Sequence, residues 1–186
     1  MVVVPLRILV VCTANQCRSP LTAVLLRSRA AERSLPVEVD SAGVQAVSGM
    51  PATAPTVDAA RRLGADLMTH RSTPLASDAV RLADLVLGLE RRHVQEIVLL
   101  DPPAFAKTFT LKELVRRGAG TGARKPDEPV ADWLAQLHRG RRPADLLGAS
   151  GDDDVADPTG SDATDHHGTA EAIDQLASES LELLFP

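Results

Sequence analysis

The run LRILVVC at residues 6–12 constrains the fold of this chain more than any other stretch. It has the length of a strand and is apolar almost throughout, so both of its faces need cover, which is the condition of a strand in a parallel sheet packed between helices. The chain beyond it supplies that cover by alternation. PLTAVLLRSRAAERS repeats apolar groups at Leu21, Val24 and Leu25 with helical spacing, VEVDSAG reads as a second strand, and PTVDAARRLGA reads as a helix closed by Gly64. LADLVLGLE reads as a third strand and RRHVQEIVLL as a helix stopped by Asp101-Pro102-Pro103. KTFTLKELVRRG fits a short fourth strand running into a helix, with Thr110 at its N-cap, Glu113 completing a capping box and Gly118 at its end. A last helix over TAEAIDQLASESLELLF puts Ile173, Leu176, Ala177, Ser180 and Leu184 on one face. The expected fold is α/β: a three-layer α/β/α sandwich around a four-stranded parallel sheet, with residues 1–186 forming one domain.

Residues 119–129 and 139–162 are rich in Gly, Pro and Asp and are expected to be loops on either side of a short helix around Trp133. No apolar run approaches the roughly 18 to 20 residues of a membrane span. The opening segment MVVVPLRILVV has no charged region before it and no small-residue cleavage site after it, so it reads as a buried strand, and the expected compartment is the cytoplasm. A net charge of −5 and a pI near 5.5 argue against a broad basic face for nucleic acid, so an anionic ligand must be held by a local device. The two cysteines, Cys12 and Cys17, form neither a disulfide framework nor a zinc pattern, which points to reactive use. His166 and His167 have no clustered Cys or His partner and are expected to be solvated residues near a helix start. No metal and no cofactor are expected.

In an open parallel sheet, ligands bind beyond the carboxyl ends of the strands. Cys12 sits there, and Thr13, Ala14, Asn15, Gln16, Cys17 and Arg18 lead into a helix that begins near Ser19-Pro20. A loop that turns successive backbone N–H groups inward ahead of a helix N-terminus binds a tetrahedral oxyanion. The same groups, with an adjacent guanidinium, favour a thiolate over a thiol, which makes Cys12 the candidate nucleophile. Arg18 can present two parallel donors to oxygens of one anion. Asn15 suits a left-handed position in a tight loop. A Cys followed six residues later by a basic residue is a weak signal alone; strand, loop, Asn, Arg, Ser and helix together are specific.

At these residues the sequence resembles the low-molecular-weight protein tyrosine phosphatase family, whose signature V-C-x-G-N-x-C-R-S-P is matched by VCTANQCRSP except that Ala14 stands where the family has Gly. DSAG, HRSTPL, ADLVLGLERRH, KTFTLKELVRR and DDDVADPTG follow in the family's order. The resemblance implies that Cys12 attacks phosphorus to give a phosphocysteine, while Arg18 and the amides of residues 13–18 bind the phosphate oxygens. Ser19 would donate to the Cys12 sulfur, with Asn15, Ser41 and His70 as the supporting polar network. The leaving group needs a proton, and Asp157 in VADPTG, followed by Pro158, matches the family's general acid; Asp152, Asp153 and Asp154 are rivals on a run that reads as solvated surface. Cys17 would either fill space or close a reversible disulfide with Cys12, as the family does.

Two departures bear on substrate. Where the family's phosphotyrosine enzymes place aromatic residues at the pocket mouth, this chain has Val47 or its neighbours and Thr159, and it contains no tyrosine. The excess length over a minimal family member falls mostly in residues 119–150. The expected activity is therefore phosphomonoester hydrolysis, on a phosphorylated protein or a small phosphomonoester. Arsenate reduction with an external thiol and a non-catalytic phosphate-binding role are the alternatives.

Overall fold

Side-chain alternation along strand β1 (Leu6–Cys12) sorts the core into two halves. Leu6, Ile8, Val10 and Cys12 belong to one buried cluster, and Leu9 and Val11 to another. The computed structural model describes residues 4–160 and 163–186. The first three residues of the opening segment and the last two of the 139–162 stretch thus lie outside the described residues.

β1 pairs in parallel with β2 (Val37–Gly43) on one side and with β3 (Leu85–Gly88) on the other, and β3 pairs in parallel with β4 (Thr108–Thr110), giving the order β2-β1-β3-β4. Helices α1 (Arg18–Glu32), α2 (Ala54–Arg62), α5 (Leu111–Thr121), α6 (Val130–His138) and α7 (Ala163–Leu184) build the larger layer. Helices α3 (Ser77–Leu82) and α4 (Arg91–Leu100), with the 3-10 turn Pro102–Lys107, cover the opposite face. This is the three-layer arrangement around a four-stranded parallel sheet that the alternating pattern requires. The central strands β1 and β3 are buried on both faces, and all the crossovers bring the chain back to the same sheet end, where the loops after β1, β2 and β3 converge.

Several local expectations need correction. Gly118 does not end α5. It lies inside the helix, where a Cβ would stand 2.6 Å from Leu183 Cδ1, so its role is to let α7 pack closely; the helix ends before Gly122, at φ 97°. Thr110 caps α5 by accepting from the Glu113 N–H at 3.0 Å, but the Glu113 carboxylate turns away from the cap to Arg117 and Arg141. Residues 119–121, expected in a loop, are helical, and the short helix α3 adds an element beyond the expected ones. Helix α7 begins at Ala163, so His166 and His167 belong to its opening turns. His166 is buried rather than solvated, and His167 pairs with Asp58 at 3.3 Å.

The stretch after α6 is also less open than its composition suggests. Arg141 is buried with its guanidinium 4.5 Å from the Phe105 ring centroid and 4.1 Å from that of Phe109, and it bonds Glu113 through two nitrogens. No helix among the described residues is long and apolar enough to cross a membrane.

Candidate active site

The chain leaves β1 at Cys12 and enters α1 at Arg18 through five residues. Asn15 takes φ 54°, the left-handed region that asparagine tolerates best after glycine. Ala14 is not among the residues with positive φ, so its Cβ is accommodated without backbone strain. The neighbouring strand permits the tight path: Gly43 pairs in register with Cys12, and a Cβ there would stand 2.6 Å from Thr13 O and 2.8 Å from Asn15 N. Among the described residues, the amide N–H groups of Thr13, Ala14, Asn15, Gln16 and Cys17 have no acceptor. Five consecutive unpaired donors ahead of a helix N-terminus form a cup for an anion.

A polar network holds this loop. Asn15 is fully buried; its Nδ2 donates to Ser19 Oγ at 2.9 Å and to Ser41 Oγ at 2.8 Å, and its Oδ1 accepts from the Thr73 N–H at 2.8 Å. His70 Nε2 donates to the Asn15 carbonyl at 2.7 Å. Ser19 Oγ lies 2.9 Å from Cys12 Sγ and 3.3 Å from the Ala42 carbonyl. Its single proton therefore has two destinations: the carbonyl when the sulfur is a thiol, and the sulfur when it is a thiolate. The structure thus brings Cys12, Asn15, Ser19, Ser41 and His70 into one contiguous cluster. The Gln16 side chain instead points away to donate to the Pro51 carbonyl at 3.1 Å.

Arg18 is buried, and carboxylates engage its guanidinium from two sides. It donates to Glu90, to the Val155 carbonyl at 2.9 Å and to Asp157 Oδ2 at 2.7 Å. Burial works against ionisation of Asp157, but a hydrogen bond from Thr159 and the positive charges of Arg18 and Arg92 outweigh it and hold this carboxyl below the usual carboxylate range. Burial likewise opposes ionisation of Glu90, and its bonds from Arg92 and Arg18 reverse the balance downward.

Of the rival acids, Asp152 is exposed, and Asp153 and Asp154 are occupied elsewhere. Asp153 is buried and pairs with Arg91 at 2.7 Å and Arg116 at 2.7 Å, so it is not solvated surface. Asp154 accepts from the Arg91 and Ser150 amides at 2.7 and 2.8 Å. With the Val155 amide bonded to the Leu89 carbonyl at 2.8 Å, these contacts clamp the segment before Asp157 onto the start of α4.

Cys17 is partly buried and accepts a hydrogen bond from Thr56 at 3.1 Å. Burial pushes its thiol up, against the opposing effect of that bond. Val47 is 68% exposed and Thr159 is exposed, so the mouth carries no ring at either place.

Glu90 and His93 were not foreseen from the sequence. Both open the segment directly beyond β3, the strand next to β1, and that position at the carboxyl end of the sheet was the available signal. His93 is fully buried, with Nε2 3.0 Å from Thr13 Oγ1. Among the described residues no cluster of three or more His, Cys, Asp or Glu could hold a metal ion.

Comparison with known proteins converges on one group. Residues 7–139 match the low molecular weight phosphotyrosine protein phosphatase family. The probable low molecular weight protein-tyrosine-phosphatase EpsP of Ralstonia nicotianae is 37% identical over 134 residues, 72% of this chain and 89% of its own length. A protein-arginine-phosphatase of Geobacillus stearothermophilus is 42% identical over 112 residues, 60% of this chain and 72% of its own. The crystal structure of a low molecular weight protein tyrosine phosphatase from T. tengcongensis superposes with a TM-score of 0.74 at 28% identity, covering 96% of this chain and 99% of that one.

Proposed function

The chain belongs to the low molecular weight phosphotyrosine protein phosphatase family and is a cysteine-based phosphatase; from that premise we propose that Cys12 is its nucleophile, Arg18 its phosphate clamp and Asp157 its general acid. The observation that carries this reading is the row of five unpaired amides between Cys12 and Arg18. A phosphate group entering the cup accepts from those amides and from Arg18, whose donors Asp157 must then release. The added negative charge raises the proton affinity of the freed carboxyl. The Cys12 thiolate attacks phosphorus, the ester P–O bond breaks, and Asp157 gives its proton to the leaving oxygen. In the second half, Asp157 takes a proton from water as it attacks the phosphocysteine, the S–P bond breaks, and the sulfur leaves as thiolate with the Ser19 hydroxyl turned toward it. Asn15, Ser41 and His70 keep the loop in shape and take no part in proton transfer.

The 1–186 chain works as one unit in this reading, since Asp157 lies beyond the residues that match the family. A reducing compartment such as the cytoplasm suits an enzyme whose two cysteines are free. On oxidation Cys17 would close a disulfide with Cys12, slowly, because a thiol held protonated by burial is a poor attacking group. Family membership favours phosphatase activity over arsenate reduction and over a non-catalytic role. Replacement of Cys12 by Ser should reduce hydrolysis of an aryl phosphate by about 10³-fold or more; retention of turnover would refute the assignment.

The mouth favours a second substrate reading. With Val47 and Thr159 in place of rings and the carboxylates of Glu90 and Asp157 beside the cup, it offers little to a phenol and much to a cationic leaving group. A guanidine leaving from phosphoarginine is such a group, and relatives at 42% and 40% identity are protein-arginine-phosphatases. Comparison of kcat/KM on phosphoarginine and phosphotyrosine peptides decides between the two.

A further inference from the structure

One fully buried titratable side chain touches the phosphate loop without a role in the chemistry above. His93, in the first turn of α4, reaches Thr13 Oγ1 through Nε2 at 3.0 Å, while its Nδ1 is the one buried side-chain nitrogen or oxygen among the described residues that has no hydrogen-bond partner. We propose that His93 is a positioning residue: its Nε2–H donates to Thr13 Oγ1 and fixes the first residue of the loop from the β3 side, as the contacts of Asn15 fix it from the β2 side.

The two struts are set by the strand order. β1 lies between β2 and β3, so the loop leaving β1 is flanked by the loops of both neighbours. On the β2 side, Ser41 bonds Asn15 and Gly43 lets the chain pass close. On the β3 side, His93 supplies the bond to the loop at Thr13, and Glu90 the one to Arg18. The charge state of His93 suits a strut. Burial drives its pKa from the ordinary 6.5 down to about 4, with Glu90 opposing, Arg18 and Arg92 assisting, and Asp157 opposing. The ring is therefore neutral at physiological pH and carries one proton. With that proton on Nδ1, a buried N–H would lack any acceptor, the rarer and costlier defect; with it on Nε2, the orphan is a bare lone pair. Thr13 Oγ1 then accepts from the ring and keeps its own hydrogen for a second partner.

The activity readout of this inference rests on the phosphatase reading, while its binding readout rests on the cup alone. Binding of inorganic phosphate by calorimetry and hydrolysis of an aryl phosphate are measured for the wild type, His93→Phe, His93→Gln, Thr13→Val and the Phe/Val double variant, each checked for folding by thermal unfolding. Gln places an amide N–H where the ring carries Nε2. We expect His93→Phe and Thr13→Val each to weaken phosphate binding and lower kcat/KM about tenfold, the double variant to be no worse than either, and His93→Gln to retain most of both. Additive losses, a Gln variant no better than Phe, or unchanged phosphate affinity in either single variant would overturn the proposal. Should His93→Phe fail to fold, Thr13→Ser against Thr13→Val decides, since only Ser keeps the acceptor. A wild type that binds phosphate but hydrolyses nothing would end the phosphatase reading and leave the binding cycle to judge His93; a wild type that binds no phosphate would end both.

Discussion

The proposed phosphate loop and the segment that carries Asp157, the proposed acid, lie a hydrogen bond apart, yet they are built differently. The loop has close bonds of its own, Asn15 to Ser19 four residues on and Ser19 to Cys12 seven residues back, and its further partners are Ser41 on β2, His70 and Thr73 beyond α2, and His93 in the first turn of α4. The acid segment has local bonds too, from Ser150 to Asp154 and from Thr159 to Asp157, but its charged anchors are distant in the chain. Asp153 is held by Arg91 across 62 positions and by Arg116 across 37, and Arg18 grips Asp157 across 139. A short motif can thus specify the anion cup, whereas placing the acid needs the folded sheet and three arginines from separate helices.

The largest effect that would sharpen this contrast is at the point where the two regions meet. Arg18→Lys keeps the charge but loses the planar fork that serves phosphate and Asp157 together, and kcat/KM should fall by about 10³-fold, measured on any phosphate ester. A loss of only a few-fold would mean the cup binds phosphate without the guanidinium. Next comes acid stability on the loop side. His93 is neutral when folded, with a pKa of about 4 against 6.5 when unfolded, so the unfolded chain binds more protons between those values and stability falls as pH drops through them. The groups facing the ring are Glu90, Arg18, Arg92 and Asp157. The wild type, relative to His93→Gln, should lose about 3 kcal/mol on going from pH 7 to pH 4 in urea unfolding, with the difference in slope fading out above about pH 7.5.

On the acid side, Asp157→Asn should slow esters with poor leaving groups by about 10²-fold and those with good ones far less. Equal losses would show that another group protonates the leaving atom. The smallest effect is the most diagnostic. Asp153→Asn removes the anchor of the acid segment while leaving the cup alone; it should cost about 1–2 kcal/mol of stability, since its arginine partners stay partly hydrated, and slow poor leaving groups a few-fold without changing phosphate affinity. A drop in phosphate affinity as large as the drop in rate would erase the division between the two regions.

The same division governs what the sequence discloses. The strands, the helix starts and the loop after β1 are legible because alternation, cap residues and the Cys-to-Arg spacing are local signals. The capping threonine of α5 is legible for that reason, and Gly118 misleads for the same reason: its cause is Leu183 of α7, far along the chain. Asp152-Asp153-Asp154 reads as a wet acidic run because nothing nearby in sequence announces Arg91 and Arg116. RGRRP reads simply as loop, and nothing nearby in the sequence announces that Phe105 and Phe109 enclose Arg141. His166 is buried by helix packing that its acidic and polar neighbours conceal. Glu90 and His93 lie in the ADLVLGLERRH stretch, but nothing in it assigns them a role, and only the strand order turns them toward the site.

The placement of the single tryptophan has an optical consequence. Trp133 is sealed between α6 and α5, its indole N–H bonded to the Gly122 carbonyl at 3.0 Å, and the chain has no tyrosine. Ultraviolet emission beyond the weak contribution of three phenylalanines therefore comes from one lamp at the joint of two helices. It will redden when that joint melts and water reaches the indole.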